Sequence, residues 1–439
     1  MSYTYSLRNC CAALLNTPLA PYLVLSSSPR YPVLVNAHYA TSARVHPDCF
    51  FQPQSSEQVG LGVSTLAEAD DVSPECQFAI RGGGHAPWKG AAGAEGGVTI
   101  DLALMNATVY SPDNSSVTIM GGARSGDVYK TLQRYGVAVT GGRSDTVGVG
   151  GLIIGGGLSY FGNKYGLACN NVVLSNGQTI TASHTSYPDL FRALKGGGNS
   201  LGIVTNVELR AFKQGPLWGG LIVHGTADLS QQNSALVYLT SNLTNDPHAP
   251  ASPNIPHTFS ALRSTDIYDL MMETVPPPGK KAFFLTLTFG NDARLLERLC
   301  NFHNESVDAV TPLVESDDWN FITFLQPFPA VLANASAKKV KVLGLDHILY
   351  LLFLAWQSPS DDALFHEIGY NLIGKPKAYS EEIGAGSDFV YMNYARREQN
   401  LLSGYGEENF QHLVAMVEKY DPIGVFQTQC PGGWKMSAA

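Results

Sequence analysis

Three glycine clusters constrain this chain more than any other feature. In the first, Phe78-Ala-Ile-Arg-Gly-Gly-Gly-His85, an apolar β-type run enters three glycines and then a histidine; a second β-type run, Gly97-Val-Thr-Ile-Asp-Leu102, follows. Consecutive glycines let a backbone approach a neighbour closely and expose its N–H groups. A histidine directly after them presents a nucleophilic ring nitrogen at the same place. The bland alternative is a glycine-rich hairpin with a structural histidine. The second cluster, Gly141 to Gly157, lacks the strand-G-x-G-x-x-G-acid pattern of a dinucleotide fold and the Lys-Ser/Thr of a phosphate-binding loop. It reads either as a close helix–helix contact or as a backbone cradle for a pyrophosphate. The third, Gly196-Gly-Gly-Asn-Ser-Leu-Gly202, runs into a strand.

Net charge is −9 and Lys and Arg are scattered, which argues against nucleic acid or an anionic membrane as partner. No apolar run reaches the roughly 18 residues of a membrane span. A small-molecule ligand is the expected partner, and nothing indicates an oligomeric state. No CxxC pair occurs among the seven cysteines, so no metal site is expected. Cys10 or Cys11 is a candidate partner for Cys49. The first residues lack the basic start and apolar core of a leader. The expectation is a cytoplasmic chain, or a secretory one whose leader has been removed.

The chain changes character twice. Up to about 215 the order strand, helix, strand, strand, helix, strand indicates an α+β unit. Included are helices at Cys10–Leu15 and Ser55–Ala69, and a hairpin around Asn176-Gly177. From 216 to 380 the glycine clusters vanish. Strands at Leu217–Val223, Ala282–Thr288, Phe321–Gln326 and His347–Trp356 alternate with helices, indicating an antiparallel sheet with helices on one face. A third segment, 381–439, holds Phe389-Val-Tyr-Met-Asn-Tyr394 and a helix near Glu407–Lys419.

Several motifs then fall into one order: Ala79-Ile-Arg-Gly-Gly-Gly-His85, Gly97-Val-Thr-Ile-Asp101, Thr146-Val-Gly-Val-Gly-Gly151 with Gly155-Gly-Gly157, Lys164-Tyr-Gly-Leu-Ala-Cys-Asn-Asn-Val172, Gly198-Asn-Ser-Leu-Gly-Ile-Val204, Tyr391-Met-Asn-Tyr394 and Tyr420-Asp-Pro-Ile-Gly-Val-Phe426. In that order the chain resembles the berberine-bridge-enzyme-like group of FAD-linked oxidases, within the vanillyl-alcohol-oxidase superfamily. The resemblance implies an α+β fold: a PCMH-type FAD-binding domain of two α+β subdomains (1–215 and 381–439), with an inserted antiparallel-sheet substrate domain (216–380) roofing the flavin. It places FAD against Arg81, Gly82, Gly83, Gly84 and His85; Val147, Gly148, Gly150, Gly151 and Gly155; Asn171 and Val172; Gly202, Ile203 and Val204; and Asn393 and Tyr394.

The resemblance also implies roles. His85 matches the histidine attached to the flavin 8α-methyl. Ser144 stands where many relatives carry a second linking cysteine, so attachment through His85 only is expected. Cys169, the nearest other thiol, reads as a small buried residue. Val147 matches a position beside the flavin C4a, where a small side chain admits O₂ and favours an oxidase. Leu152 and Leu158 replace a histidine and a tyrosine frequent in relatives, which argues against a tyrosine pair for alcohol oxidation. Tyr391 is the leading acid/base candidate and Asn393 a ligand of the flavin edge; the bland reading is that Tyr391 and Tyr394 only pack. Gln326, His347, Tyr350, Trp356 and Gln357 are candidate pocket residues. Strand alternation forbids His347 and Tyr350 from sharing a face. The expected activity is hydride removal from a small organic, natural-product substrate, with O₂ reoxidation to H₂O₂. A carbohydrate oxidase and a non-redox flavin-containing cyclase are the alternatives.

Overall fold

Strand Phe78–Arg81 carries the first glycine cluster, and its pairing explains its position. It runs parallel to Val98–Asp101, which runs parallel to Cys49–Phe51; Leu23–Leu25 closes the other edge antiparallel. Strands that run parallel need a long return connection, and helix Ser56–Asp70 supplies one between the strands at 49 and 78, which flank the strand at 98. Its Val59, Val63 and Leu66 recur at helical spacing and pack on Cys10, Leu14, Phe51, Phe78 and Ile100. The computed structural model describes residues 9–70, 76–165, 171–243, 255–273, 278–314, 316–335 and 345–436.

A second sheet of the same unit is antiparallel, with strands Thr108–Ser111, Ser116–Met120, Ile203–Arg210, Asn171–Val173 and Thr179–Ile180 in that spatial order. The Asn176-Gly177 turn forms the expected hairpin, with Gly177 at φ +77°. Helix 56–70 also touches this second sheet. A Cβ on Gly60 would lie 2.3 Å from the Gly177 carbonyl oxygen, and Ser56 Oγ donates to Thr205 Oγ1 at 2.9 Å. Two disulfides, Cys10–Cys76 and Cys11–Cys49, tie the N-terminal helix to this core. Cys49 therefore takes Cys11, and Cys76, unpartnered in the sequence reading, takes Cys10.

A buried ion pair ends the Phe78–Arg81 strand. Arg81 Nη2 and Nε donate to Asp101 Oδ2 and Oδ1 at 2.9 and 3.2 Å, and Nη1 donates to the Leu34 carbonyl at 2.6 Å. Gln52 Nε2 donates to Asp101 Oδ2 at 2.8 Å, and Arg30 to Gln52 Oε1 at 2.6 Å. The guanidinium also lies over the Phe50 ring. Charges this deep are tolerated only when paired and fully hydrogen-bonded.

Contacts within the chain group Met1–Leu158, Ala168–Gln214 and Glu407–Ala439 in this first unit, and Ser159–Leu167 with Gly215–Gly406 in a second. The second unit is built on an antiparallel sheet ordered Asn320–Phe328, His347–Trp356, Lys281–Gly290, Gly386–Ser387. Helices Ala293–Val310 and Asp362–Glu382 cover one face, where Phe283, Leu285, Phe289, Ile348, Leu352 and Trp356 meet Leu295, Leu299 and Phe365. Pro327 sits on the outer strand, where its missing N–H costs no ladder bond. The stretch 381–406, grouped by sequence with the C-terminal segment, falls in this unit. Gly386–Ser387 pair with the 281–290 strand, and the Gln399 amide clasps the Thr286 backbone, accepting from N at 3.2 Å and donating to O at 2.7 Å.

Removing one partner of the Arg81–Asp101 pair strands a buried charge. Asp101→Leu is expected to cost about 3–5 kcal/mol in urea unfolding, and Arg81→Met with Asp101→Leu to recover part of that loss. A double variant no more stable than the single one would contradict this account.

Candidate functional site

The first two glycine clusters, and the strand that follows the third, meet through backbone contacts that exclude side chains. A Cβ on Gly148 would lie 2.2 Å from the Gly83 nitrogen, and one on Gly83 would lie 2.3 Å from the Gly148 nitrogen. A Cβ on Gly150 would meet the Gly121 carbonyl oxygen at 2.6 Å, and one on Gly121 the Val204 carbonyl oxygen at 2.5 Å. Gly82, Gly83, Gly148, Gly150 and Val204 are thus brought together, with Gly121 as a mediator that the sequence reading missed. Gly202, at φ +149°, leads into the Ile203–Val204 strand start. Within the second cluster Val149–Ile154 form a short helix, which Gly148 precedes and Gly155 follows, but Gly148 and Gly150 meet the backbone at Gly83 and Gly121, so the helix–helix alternative is not what is found. Gly151 differs from its neighbours: no atom lies within 4 Å of a Cβ built on it.

The N–H groups of Gly83, Gly84 and His85 donate to no acceptor among the described residues. Consecutive amides of this kind form an anion-binding concavity. Together with the glycine walls and the open flank at Gly151, this donor set fits a large, phosphate-bearing cofactor approached at backbone distance.

His85 is fixed on two sides. Its ring stacks on Tyr39, centroids 4.1 Å apart and planes 19° apart, and its Nε2 lies 3.1 Å from Thr146 Oγ1. Tyr39 is delivered by its N–H bond to the Gly84 carbonyl, 3.0 Å. Burial, and then the Arg124 guanidinium, lower the His85 pKa to about 4, so the ring is neutral and nucleophilic near pH 7. Arg124 Nη1 donates to the Thr146 carbonyl at 2.7 Å, and Ser125 N and Oγ donate to the Val147 carbonyl at 3.0 and 3.1 Å. Ser144 Oγ is 3.5 Å from Thr146 Oγ1. Behind the glycine turn lies His38, 4% exposed, with Nδ1 unpartnered among the described residues. Burial first, then Arg81, lower its pKa to about 4.

Other expected residues divide. The Arg81 guanidinium is committed to Asp101 and the Leu34 carbonyl, so its side chain braces the strand behind the cradle. Asn171 and Val172 lie in the strand paired with Ile203–Arg210, with side chains outside the described residues, as is Cys169. Neither Tyr39 nor Arg124 carried a sequence signal; Thr146 opens the Thr146-Val-Gly-Val-Gly-Gly151 motif, which by itself assigned it no role.

In the second unit, Tyr391 is buried and accepts from Asn393 Nδ2 at 2.9 Å. Its ring meets that of Tyr394 edge-on at 5.0 Å, and the Tyr394 hydroxyl and the Gln326 amide lie 3.4 Å apart. Register sorts the pocket candidates. Tyr350 pairs with Leu287 and Leu325 on the helix-covered face and belongs to the core, as does Trp356, which stacks on Phe365 and donates to Asp362. Gln326 and His347 lie on the opposite face, and Gln357 is an exposed residue after the strand. That opposite face carries Phe284, Ile322, Phe324, Leu349, Leu351 and Phe353, flanked by Thr288, Gln326 and His347. Thr288 is buried with its hydroxyl unpartnered among the described residues. His347 Nδ1 is 2.7 Å from the Leu345 carbonyl, and burial lowers its pKa.

Residues 47–182 match the family described as FAD binding domain. The FAD-dependent monooxygenase drtC of Aspergillus calidoustus is 34% identical over 98% of this chain and 90% of its own length. The FAD-dependent monooxygenase sdcF of Emericella nidulans is 34% identical over 98% of both. Among solved structures, 6-hydroxy-D-nicotine oxidase of Arthrobacter nicotinovorans superposes with a TM-score of 0.75 at 19% identity, covering 92% of this chain and 96% of that one. A glucooligosaccharide oxidase of Acremonium strictum gives 0.73 at 20% identity, covering 95% and 97%.

Two measurements check this geometry. Gly148→Ala forces the loops apart and is expected to cost about 1–3 kcal/mol in urea unfolding, whereas Gly151→Ala should stay within about 0.5. His38 and His85 titrate near 6.5 when unfolded and near 4 when folded. Below 6.5 the unfolded chain takes up protons that the folded chain refuses. Stability present above pH 6.5 is therefore lost progressively down to about pH 4. A melting series should show that fall, and His38→Asn should make it shallower, by about 2–3 kcal/mol at pH 4.5.

Proposed function

This chain carries an FAD binding domain and belongs to the family of the FAD-dependent monooxygenases it matches over nearly its whole length, and from that premise we propose that it is an FAD-linked oxidase of a lipophilic natural-product intermediate. The acceptor-free amides beside a neutral His85 carry the reading, because they match a cofactor held by its phosphates and tethered at its ring. Bound FAD would supply a two-electron acceptor for a hydride, with dioxygen as the terminal oxidant and H₂O₂ as its product. In this reading the first unit holds the cofactor. The Acremonium strictum glucooligosaccharide oxidase carries FAD with both a histidyl and a cysteinyl link. Here Ser144 cannot form a thioether, which leaves His85 as the single tether.

Tyr391 takes the substrate proton. The Asn393 amide donates to its oxygen and so stabilises the charge that develops there as the proton leaves. Val147, a small side chain, keeps room for dioxygen. The apolar sheet face around Phe324 and Phe353 favours a lipophilic substrate over an oligosaccharide, whose many hydroxyls need many polar partners. Monooxygenation is the second reading, since two relatives 34% identical to this chain bear that name. The two disulfides favour an oxidising compartment and hence the secretory route.

Acid-precipitated protein should retain yellow fluorescence, and His85→Ala should release its FAD. Turnover of a panel of terpenoid and polyketide alcohols should yield H₂O₂ with no label incorporated from ¹⁸O₂. Labelled product would instead establish the monooxygenase, and turnover confined to oligosaccharides would sink the substrate assignment. Tyr391→Phe should lower kcat about 10²-fold.

A further inference from the structure

The Gly83–Gly148 contact does more than close a cradle. Gly83 lies two residues before His85, and Gly148 two residues after Thr146. Docking the two glycines backbone to backbone therefore sets the distance at which those two side chains meet, 3.1 Å between Nε2 and Oγ1. The Thr146 main chain is held independently, by Arg124 on its carbonyl and by Ser125 on the next one. Tyr39 fixes the plane of the imidazole. A neutral imidazole has one N–H and one lone pair, and which nitrogen carries which is decided by the partner of the other.

We propose that Thr146 is a positioning residue that locks His85 as the Nε2–H tautomer, so that Nδ1 holds the lone pair and is the atom that attaches to FAD. Thr146 Oγ1 accepts from Nε2–H, and its own hydrogen points toward Ser144 Oγ, 3.5 Å away. Were Thr146 to donate instead, the proton would sit on Nδ1 and that nitrogen would be no nucleophile. This inference rests on the proposed His85 tether. Attachment exchanges one C–H bond of the 8α-methyl for a C–N bond to Nδ1. The methyl proton and the Nε2 proton leave to solvent, the latter by way of Thr146. The electron pair passes into the flavin ring, and dioxygen is the oxidant that removes it. Ser144 acquires a role beyond standing in for a cysteine: it gives the Thr146 hydrogen somewhere to point.

The experiment uses the full-length protein, with and without FAD, and three variants. Intact mass after denaturation of the holoprotein reads the fraction of chains carrying FAD, and ¹⁵N NMR of histidine-labelled protein from riboflavin-starved cells, in which His85 is unattached, reads its tautomer. Thr146→Val, nearly isosteric, should still bind FAD but carry at least about 10-fold less of it covalently, with the His85 tautomers mixed. Thr146→Ser should restore both readouts, which a packing role for the methyl group would not do. Ser144→Ala should lower the covalent fraction less than Thr146→Val. A Thr146→Val protein with the wild-type covalent fraction and an unmixed Nε2–H tautomer overturns the proposal. Wild-type protein that releases all its FAD overturns the tether itself, and the NMR readout then still decides whether Thr146 sets the tautomer.

Discussion

Two backbones touch at Gly83 and Gly148 with no side chain between them, and much of the first unit is arranged so that they can. The contact itself buries little apolar surface, so it contributes little free energy of its own. It is held by what flanks it: the parallel ladder behind Phe78–Arg81 on one side, and the Arg124 and Ser125 bonds to the 146–147 carbonyls on the other. Gly121 and Gly150 repeat the arrangement one layer away. A surface assembled from bare backbone can come within hydrogen-bond reach of a phosphate along its whole length, which a surface of side chains cannot.

The buried Arg81–Asp101 pair stands immediately behind that surface. As a source of stability such a pair is poor, because desolvating two charges offsets most of their attraction. Its value here is directional. Arg81 is the last residue before the glycines, and its three-way bonding to Asp101 and Leu34 anchors the point from which the flexible turn departs. Gln52 and Arg30 extend the same anchor to the neighbouring strand and to the loop beyond it. A glycine triplet without such an anchor would hold His85 in no single position.

The second unit follows a different logic. Its central strand, His347–Trp356, is buried along its entire length, so hydrophobicity alone could not say which residues face the helices. Pairing decides it: Tyr350 stands opposite Leu287 and Leu325 in the core, and His347 opposite Phe328 on the other face. The strand edge at Thr286, which no neighbouring strand pairs among the described residues, is closed by a side chain, Gln399, which imitates a strand's donor and acceptor at one residue. That clasp also explains why the Tyr391–Tyr394 turn travels with this unit.

The amino-acid sequence by itself determined the α+β class, most of the element positions and the three glycine clusters with their histidine. These are local properties, written in periodicity, turn residues and motif order, and they survive without knowledge of partners. The tertiary structure alone decided that Cys11 and not Cys10 meets Cys49, that Arg81 spends its guanidinium on Asp101, that Tyr350 is core, and that Tyr39 and Thr146 are the neighbours of His85. Each of these is a pairing between groups far apart along the chain. Such a pairing is set by the register of strands and the docking of loops, and no window of sequence contains both partners.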